Sequence, residues 1–590
     1  MKRISLILVL LICNTLFVYA QRGEQEYQSI QPKFKDLGAE RIFLHYNTNL
    51  FFPGERLHYK IYCFDTKTKD FSSISKIGYL EMVSEDGVSI FKHKITLENG
   101  VGYGDYSMPG DIKSGSYKLF AYTNWMKNEP TTNFFETDLV VINPYVKLPT
   151  NYVGDTKDTL LQADNPQSVQ EGFDFENQES SFFSLSGQKN EKREKVTVNF
   201  SIDAKTMSEG NYSLSVQKVD EFLSFDPSTI VEFYENLQNE DGTINNKSKE
   251  LLFLPELRGS LISGKLHDTR TGNAKRGETI ALSLFGKNHL FKTATTDGLG
   301  HFHFNIEDYQ ENSAGVLHLL SGEADSTAIT LFEKEVEHKD LSFPAYQIAD
   351  TMQNAIEERS IQNQIENAFT YLKNDSLSSG DLRVPFYRKM DKTYALSDYT
   401  RFNTLKETIV EIVDKVSIKK NPQGDRYFEV VMEGGFPNSG FRSMLFVDGI
   451  FIKNQESFMD YDSKDINSIG YKKGIFFIGS LFYQGIVSIQ TKNSDYIENG
   501  FNGSQKVLSL FTPKARKKYF KQEYPQNSRK DSDRIPDFRR QLLWIPNLSL
   551  QEESSVEFFT SDVTGLFKVS LEGLSSEGMP VSSFQYLLVE

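Results

Sequence analysis

The chain has 590 residues, too many for one hydrophobic core and enough for roughly three to five domains. Its formal charge of −15 repels polyanions and argues against nucleic acid as a general partner. Aromatic residues make up 13 % of it, with 46 Phe and 28 Tyr, a composition that favours half-buried pleated strands.

Residues 1–20 read as a signal peptide. Lys2 and Arg3 form a positive start, Ile4 to Val18 are almost wholly apolar, and Val18-Tyr19-Ala20 offers a cleavage site, so the mature chain is expected to begin at Gln21. The apolar run is short of the roughly 20 residues that span a bilayer. Cys13 follows Ile12, not the small residue of a lipobox. Cleavage leaves Cys63 as the one cysteine, which excludes an internal disulfide, and makes the chain still more acidic. No later apolar stretch is long enough for a membrane-spanning helix, so membrane association is expected to go through a partner.

Residues 34–148 predict a β-sandwich. LFFPGERLHYKIY (50–62) sets a Pro-Gly turn before the alternating Leu57, Tyr59 and Ile61, and further strands follow near 77–83, 89–95 and 115–122. Residues 149–192 are polar and read as a linker or long loop. The alternating segments KVTVNFSI (195–202) and GNYSLSVQKVD (210–220) predict a second small sandwich over 193–255. A third β unit spans 256–342, with turns at Thr271-Gly272-Asn273 and Asp297-Gly298. Residues 343–400 form a helical connector in which Ile348, Met352, Ile356, Ile365, Phe369 and Leu372 make an amphipathic face. TLKETIVEIV (404–413) opens an α+β unit over 401–497. Residues 498–590 read as an extended connection, rich in Lys, Arg, Gln and Asp over 511–541, followed by strands at 555–560 and 566–572. The expected fold class is mainly β: tandem immunoglobulin-like sandwiches plus a small α+β domain.

The sequence assigns no catalytic residue, no cofactor and no metal site. GxSxG, HExxH, Walker-type and Rossmann-type patterns do not occur. His301 and His303 point to one strand face but lack a neighbouring Cys or carboxylate cluster, and His45, His58 and His93 are scattered. The loop Asp65 to Asp70 lacks the later bidentate Glu of a calcium loop. KARKKYFK (514–521), the one dense basic run, reads as a solvated linker rather than a lipid contact. Adjacent aromatic pairs at Phe51/Phe52, Phe134/Phe135, Phe476/Phe477 and Phe558/Phe559 place one ring of each pair away from its own core, as an interface anchor or as part of a second core between domains. Phe134, Phe135, Asp448, Phe476 and Phe477 are the candidate interaction residues.

Three segments resemble known families. Residues 42–145 resemble the macroglobulin-type sandwich common in Bacteroidota envelope proteins, through FFPGERLHYKIY, the Asp86-Gly87 turn and SGSYKLFAYTNWMKN (114–128). Residues 259–310 resemble the carboxypeptidase regulatory-like domain, a small sandwich and not a peptidase, through ISGKLHDTRTGNAKRGETIALS and TATTDGLGHFHF. Residues 404–493 resemble the plug domain of TonB-dependent receptors, through MLFVDGIF (444–451), DSKDINSIGYKKG (462–474) and YQGIVSIQTKN (483–493). The segment 542–573 is similar to strands that follow such a plug in barrel-less Bacteroidota proteins. Too few residues follow Asn493 to build the roughly 22-stranded barrel that a plug would close. Gly23-Glu24-Gln25 resembles the end of an α-macroglobulin thioester motif, but Arg22 stands where that motif has cysteine.

These resemblances imply a non-enzymatic accessory subunit of an outer-membrane complex for barrel assembly, secretion or TonB-type transport. Its expected partner is an outer-membrane β-barrel protein or complex, and its expected place is the periplasmic face or the cell surface. The alternative they imply is a macroglobulin-like protease-binding or envelope-defence protein.

Overall fold

The computed structural model describes residues 36–146, 182–201, 209–220, 227–244, 253–284, 289–307, 314–321, 326–332, 335–338, 341–344, 352–378, 386–432, 441–478, 481–494, 505–524, 535–550 and 555–590, with the single residues 34, 222 and 496. The signal-peptide segment, the Gly23-Glu24-Gln25 motif and most of the 149–192 linker lie outside the described residues. The protein is mainly β, as its aromatic and alternating segments predict. It divides into two compact units, each assembled from separated stretches of chain. The first holds Leu37–Gly259, Glu335–Ser379 and Pro513–Glu590, and the second holds Ser260–Lys334 and Gly380–Thr512.

The first unit contains two sandwiches. In one, a three-stranded sheet ordered Glu40–Tyr46, Arg56–Asp65, Val101–Ser107 faces a five-stranded sheet ordered Leu50–Phe51, Phe135–Val141, Gly115–Thr123, Ile77–Ser84, Ser89–Thr96. Leu57, Tyr59 and Ile61 sit in the core between them, as their alternation requires. The tract Ala121 to Met126 serves this core. Tyr122 stacks on Tyr79 at 5.5 Å and donates to Glu81 Oε2 at 2.7 Å, and Trp125 Nε1 donates to the Gly38 carbonyl at 2.9 Å. Glu40, fully buried, accepts from the hydroxyls of Ser72, Ser75 and Thr123, so its charge has donors on several sides.

The other sandwich corrects the expected organisation. Residues 193–255 do not close a sandwich of their own. Gly210–Lys218 lies between Gly565–Ser575 and Gln541–Leu548, and Lys195–Phe200 pairs with Ser555–Phe559. Phe183–Leu185 and Lys189–Asn190, inside the expected linker, add strands to the two sheets. The physical reason is area: two alternating strands cannot bury their own apolar face, and the C-terminal strands supply Val556, Phe558, Phe567, Val569 and Leu571 to it.

Among the described residues two α-helices belong to this unit. Ile230–Gln238 was not anticipated from the sequence, although Thr229 and Glu232 form a capping box and Ile230 and Leu237 pack on Phe43, Tyr62 and Phe64. Gln353–Ala368 falls in the expected helical connector, but its best-buried side chains are polar, Arg359 and Ser360. Only its first turn uses the apolar stripe, where Met352 and Ile356 pack on Leu50, Phe52, Val140, Ile142 and Phe222.

The second unit joins a sandwich to an α+β layer. The sandwich has sheets ordered His301–Ile306, Ser260–Asp268, Thr327–Leu331 and Leu290–Thr295, Thr279–Leu284, Ala314–Leu319, Gln505–Ser509. Its last strand comes from the stretch expected to be a linker. In the α+β part, the helix Leu405–Ile412 starts at a Thr404–Glu407 capping box and packs on a sheet ordered Lys392–Ala395, Ile466–Ile478, Leu481–Thr491, Met444–Val447, Ile450–Phe451. Ala281 and Leu320 of the sandwich share a core with Met444, Phe446 and Tyr483.

Candidate functional site

A cleft of about 190 Å³ opens in the first unit, lined by the Asn47–His58 turn and strand, the helix Gln353–Ala368, residues 519–520 and residues 538–544. The turn depends on Gly54, at φ +88° and so close to the helix that a Cβ would stand 2.2 Å from Asn367 Nδ2. Asn363 Nδ2 holds the same turn by donating to the Pro53 carbonyl at 2.6 Å.

Arg359 is the centre of one wall. It is 3 % exposed, grips both carboxylate oxygens of Glu55 at 2.9 Å, and reaches Asp220 Oδ2 at 2.8 Å. Its guanidinium lies 4.4 Å from the centre of the Phe52 ring. Burial opposes its charge, but Glu55 and Asp220 outweigh that and hold its pKa above the ordinary arginine range.

Asp537 and Arg539 form a second buried pair, with Arg539 Nε and Nη2 each 2.7 Å from a carboxylate oxygen. Lys373 bridges Asp537 to Glu366, at 3.1 and 2.6 Å, and the Tyr524 hydroxyl also donates to Asp537. Burial pushes the Asp537 carboxyl up, yet Arg539 and Lys373 bring it well below the usual carboxylate range. Arg56 and Asp375, also in the lining, pair at 2.8 Å, and Lys517 pairs with Asp105 at 2.9 Å.

Deeper in the cleft, Trp544 stacks on His58 at 5.7 Å and Tyr519 meets the same imidazole edge-on at 4.9 Å. Burial lowers the His58 pKa to about 4, so the ring is neutral at physiological pH. His58 Nδ1, Trp544 Nε1, Gln217 Oε1 and Gln541 Oε1 have no hydrogen-bond partner among the described residues. The cleft therefore presents engaged ion pairs, neutral rings and amides. The Tyr519 hydroxyl in its lining donates to Asp105 Oδ1 at 3.4 Å.

No family model and no curated protein matches the chain. Solved structures similar to it include the alpha-2-macroglobulin of Salmonella, at 10 % identity and TM-score 0.22 over 94 % of this chain and 40 % of that one. The trypsin-activated alpha-2-macroglobulin of Escherichia coli gives 10 % identity and TM-score 0.22 over 93 % and 41 %. The sporulation control protein Spo0M of Bacillus subtilis gives 10 % identity and TM-score 0.13 over 29 % and 70 %. The chain spans less than half the length of either macroglobulin it matches, and the functional reading rests on its own residues.

The sequence-predicted interaction residues fall into separate environments. Phe134 is buried and stacks on Tyr122 at 4.7 Å, while Phe135 is half-buried against Tyr46, so this pair serves the first core rather than a surface. Asp448 occupies a left-handed position, φ +50°, in the Asp448-Gly449 turn. Its carboxylate accepts from the Thr491 N–H at 2.8 Å and the Thr491 hydroxyl at 2.5 Å, which makes it an internal pin. Phe476 packs inward, and Phe477 is 75 % exposed.

The basic run 514–521 is not a solvated linker. Lys514 N–H donates to the Lys94 carbonyl at 2.8 Å, Arg516 pairs with Glu98, and Lys517 with Asp105. Acidic side chains of the first sandwich pair with two of its five cations, Arg516 and Lys517. His303 Nδ1 bonds Ser263 Oγ at 2.8 Å, and among the described residues no group of three or more His, Cys, Asp or Glu is placed to hold a metal ion. Sequence reasoning missed Arg359, Asp537, Arg539 and Trp544. A buried arginine on a polar helix leaves no local signal, because its partners stand 304 and 139 residues away.

Proposed function

We propose that this protein is a non-enzymatic accessory subunit of an outer-membrane complex, exported to the envelope and held there by binding an outer-membrane β-barrel protein. The observation that carries the reading is the engagement of the cleft's charges with one another. Arg359, Glu55, Asp220, Asp537, Arg539 and Lys373 tie distant stretches of chain together, a rigidifying role that suits a scaffold. His58, the one imidazole among the described residues of the cleft lining, is neutral and flanked by rings. The signal-like leader supports export, and the resemblance of 404–493 to a receptor plug supports docking on a β-barrel protein.

Purification of the tagged chain from its native envelope in mild detergent tests this. Co-elution of a β-barrel protein in fixed proportion is the expected result, and elution of the chain alone sinks the reading. The protease-binding alternative makes a different forecast in the same preparation: incubation with a broad-specificity protease leaves the protease trapped in a complex with the cleaved chain.

A further inference from the structure

The antiparallel ladder of Ile466–Ile478 with Leu481–Thr491 runs on past the strands that flank it in its sheet. Of the ladder's residues, Lys392–Ala395 pairs with Ser468 to Tyr471, and Met444–Val447 with Ile486 to Ile489. Further along the ladder Ile475 pairs with Gln484, Phe476 with Tyr483, Phe477 with Phe482 and Ile478 with Leu481, and the Gln484 N–H also donates to the Arg442 carbonyl at 3.1 Å. Residues paired across an antiparallel ladder share a face, and the faces alternate along it. Phe476, Ile478, Leu481 and Tyr483 turn inward onto Phe446 and Phe451. Ile475, Phe477 and Phe482 occupy the other face. Phe441 joins them, its ring 4.2 Å from Phe482, which in turn lies 5.3 Å from Phe477. Phe477 is 75 % exposed, and Ile475 and Phe441 are each 43 % exposed. Three touching phenyl rings and an isoleucine at this end of the ladder form a contiguous apolar tip, not scattered surface residues.

The charge that the described residues place near this tip is mostly positive. Between Asp465 and Asp495 the sequence contains no acidic residue, while Lys472 and Lys473 lie just before Ile475 and Arg442 follows Phe441. Arg388 and Lys389 precede Asp391, which pairs with Lys472 at 3.2 Å and accepts from the Lys473 N–H at 2.8 Å. Asp391 offsets part of the positive charge and no more. Across Ser260–Lys334 and Gly380–Thr512 acidic and basic residues nearly balance, so the chain's acidic excess lies elsewhere. An aromatic tip inside a cationic collar is complementary to an anionic bilayer surface, where the rings enter the headgroup boundary and the cations meet lipid phosphates.

We infer that the hairpin end binds the surface of an anionic phospholipid membrane, inserting Phe477 and Phe482. This goes beyond the proposed protein docking and stands or falls independently of it. The test is co-sedimentation of the full chain with phosphatidylglycerol vesicles and with phosphatidylcholine vesicles. Sedimentation with the first, weakened by added salt, is expected, and Phe477→Ser with Phe482→Ser should lower partitioning about tenfold or more. A chain that stays in the supernatant, or a double variant that binds as well as the parent, overturns the inference. Phe477→Trp gives a second readout that does not depend on losing a side chain. Its fluorescence should shift to the blue on phosphatidylglycerol vesicles, and an unshifted spectrum overturns insertion. A dimer in light scattering that Phe477→Ser dissolves, with no vesicle binding, would assign the tip to a second copy of the chain instead.

Discussion

The cleft of the first unit and the hairpin end of the second are opposite uses of side-chain chemistry. In the cleft, charged groups are buried and paired, and apolar rings cover them. At the hairpin end, apolar rings are exposed and cations stand around them. Burying Arg359 is tolerable because Glu55 and Asp220 compensate it. Exposing Phe477 contributes nothing to folding, and the role proposed for it lies in what it meets outside the chain. Perturbing the cleft should therefore act on stability, and perturbing the tip on binding.

The largest effect is expected from Arg359→Met, which keeps volume and leaves Glu55 and Asp220 buried without their partner. Chemical denaturation should show a loss of about 3–5 kcal/mol. A loss below about 1 kcal/mol would mean that the cleft's ion pairs do not hold the unit together.

Glu572 gives the next effect, and it depends on pH. Burial raises its pKa to about 7, although its carboxylate accepts from the Ile230 N–H at 3.0 Å and the Ser582 hydroxyl at 2.6 Å. An acid with a folded-state pKa above its unfolded value contributes stability that is full below the unfolded pKa, near 4.5, and lost as pH rises through about 7. Glu572→Gln removes this loss. Relative to the parent, the variant should gain stability between pH 5 and pH 8, by about 3 kcal/mol at most. Parallel urea curves at the two pH values check it, and a constant difference between the proteins would refute it.

Asp448→Ala should cost about 1–2 kcal/mol, because it removes the acceptor for Thr491 and places alanine in a left-handed conformation. Asp448→Asn keeps the conformation and one acceptor, so it should cost less. The smallest effect belongs to Phe477→Ser, with thermal stability expected within about 0.5 kcal/mol of the parent. A larger loss would make Phe477 a core residue and remove the contrast between the two regions.

The strands of the first sandwich were legible because period-2 alternation at Leu57, Tyr59 and Ile61 and the Pro-Gly turn are local signals. The segment TLKETIVEIV marked the helix Leu405–Ile412 in the same way, and the structure adds a capping box at Thr404. The box at Thr229 was equally local and was overlooked between two strand-like segments. The second sandwich was not legible. Alternation shows that Gly210–Lys218 has a buried face, but nothing in it specifies that the covering strands begin at Gln541. The candidate site divides likewise: the Phe476-Phe477 pair announces one inward and one outward ring, whereas the cleft depends on charges brought together from four regions of the chain.

The pairing of Gly210–Lys218 with Gly565–Ser575 and Gln541–Leu548 also sets an order of events. When the first of these strands leaves the ribosome or an export channel, both of its neighbours are still more than 300 residues of synthesis away. Until they arrive, its two edges are open, and it is competent to pair with any other exposed strand. The stretches Ser260–Lys334 and Gly380–Thr512 can fold on local contacts during that interval, while the first unit waits for its C-terminal strands. Chaperone dependence and sensitivity to C-terminal truncation should therefore concentrate in the first unit, whichever surface the hairpin finally meets.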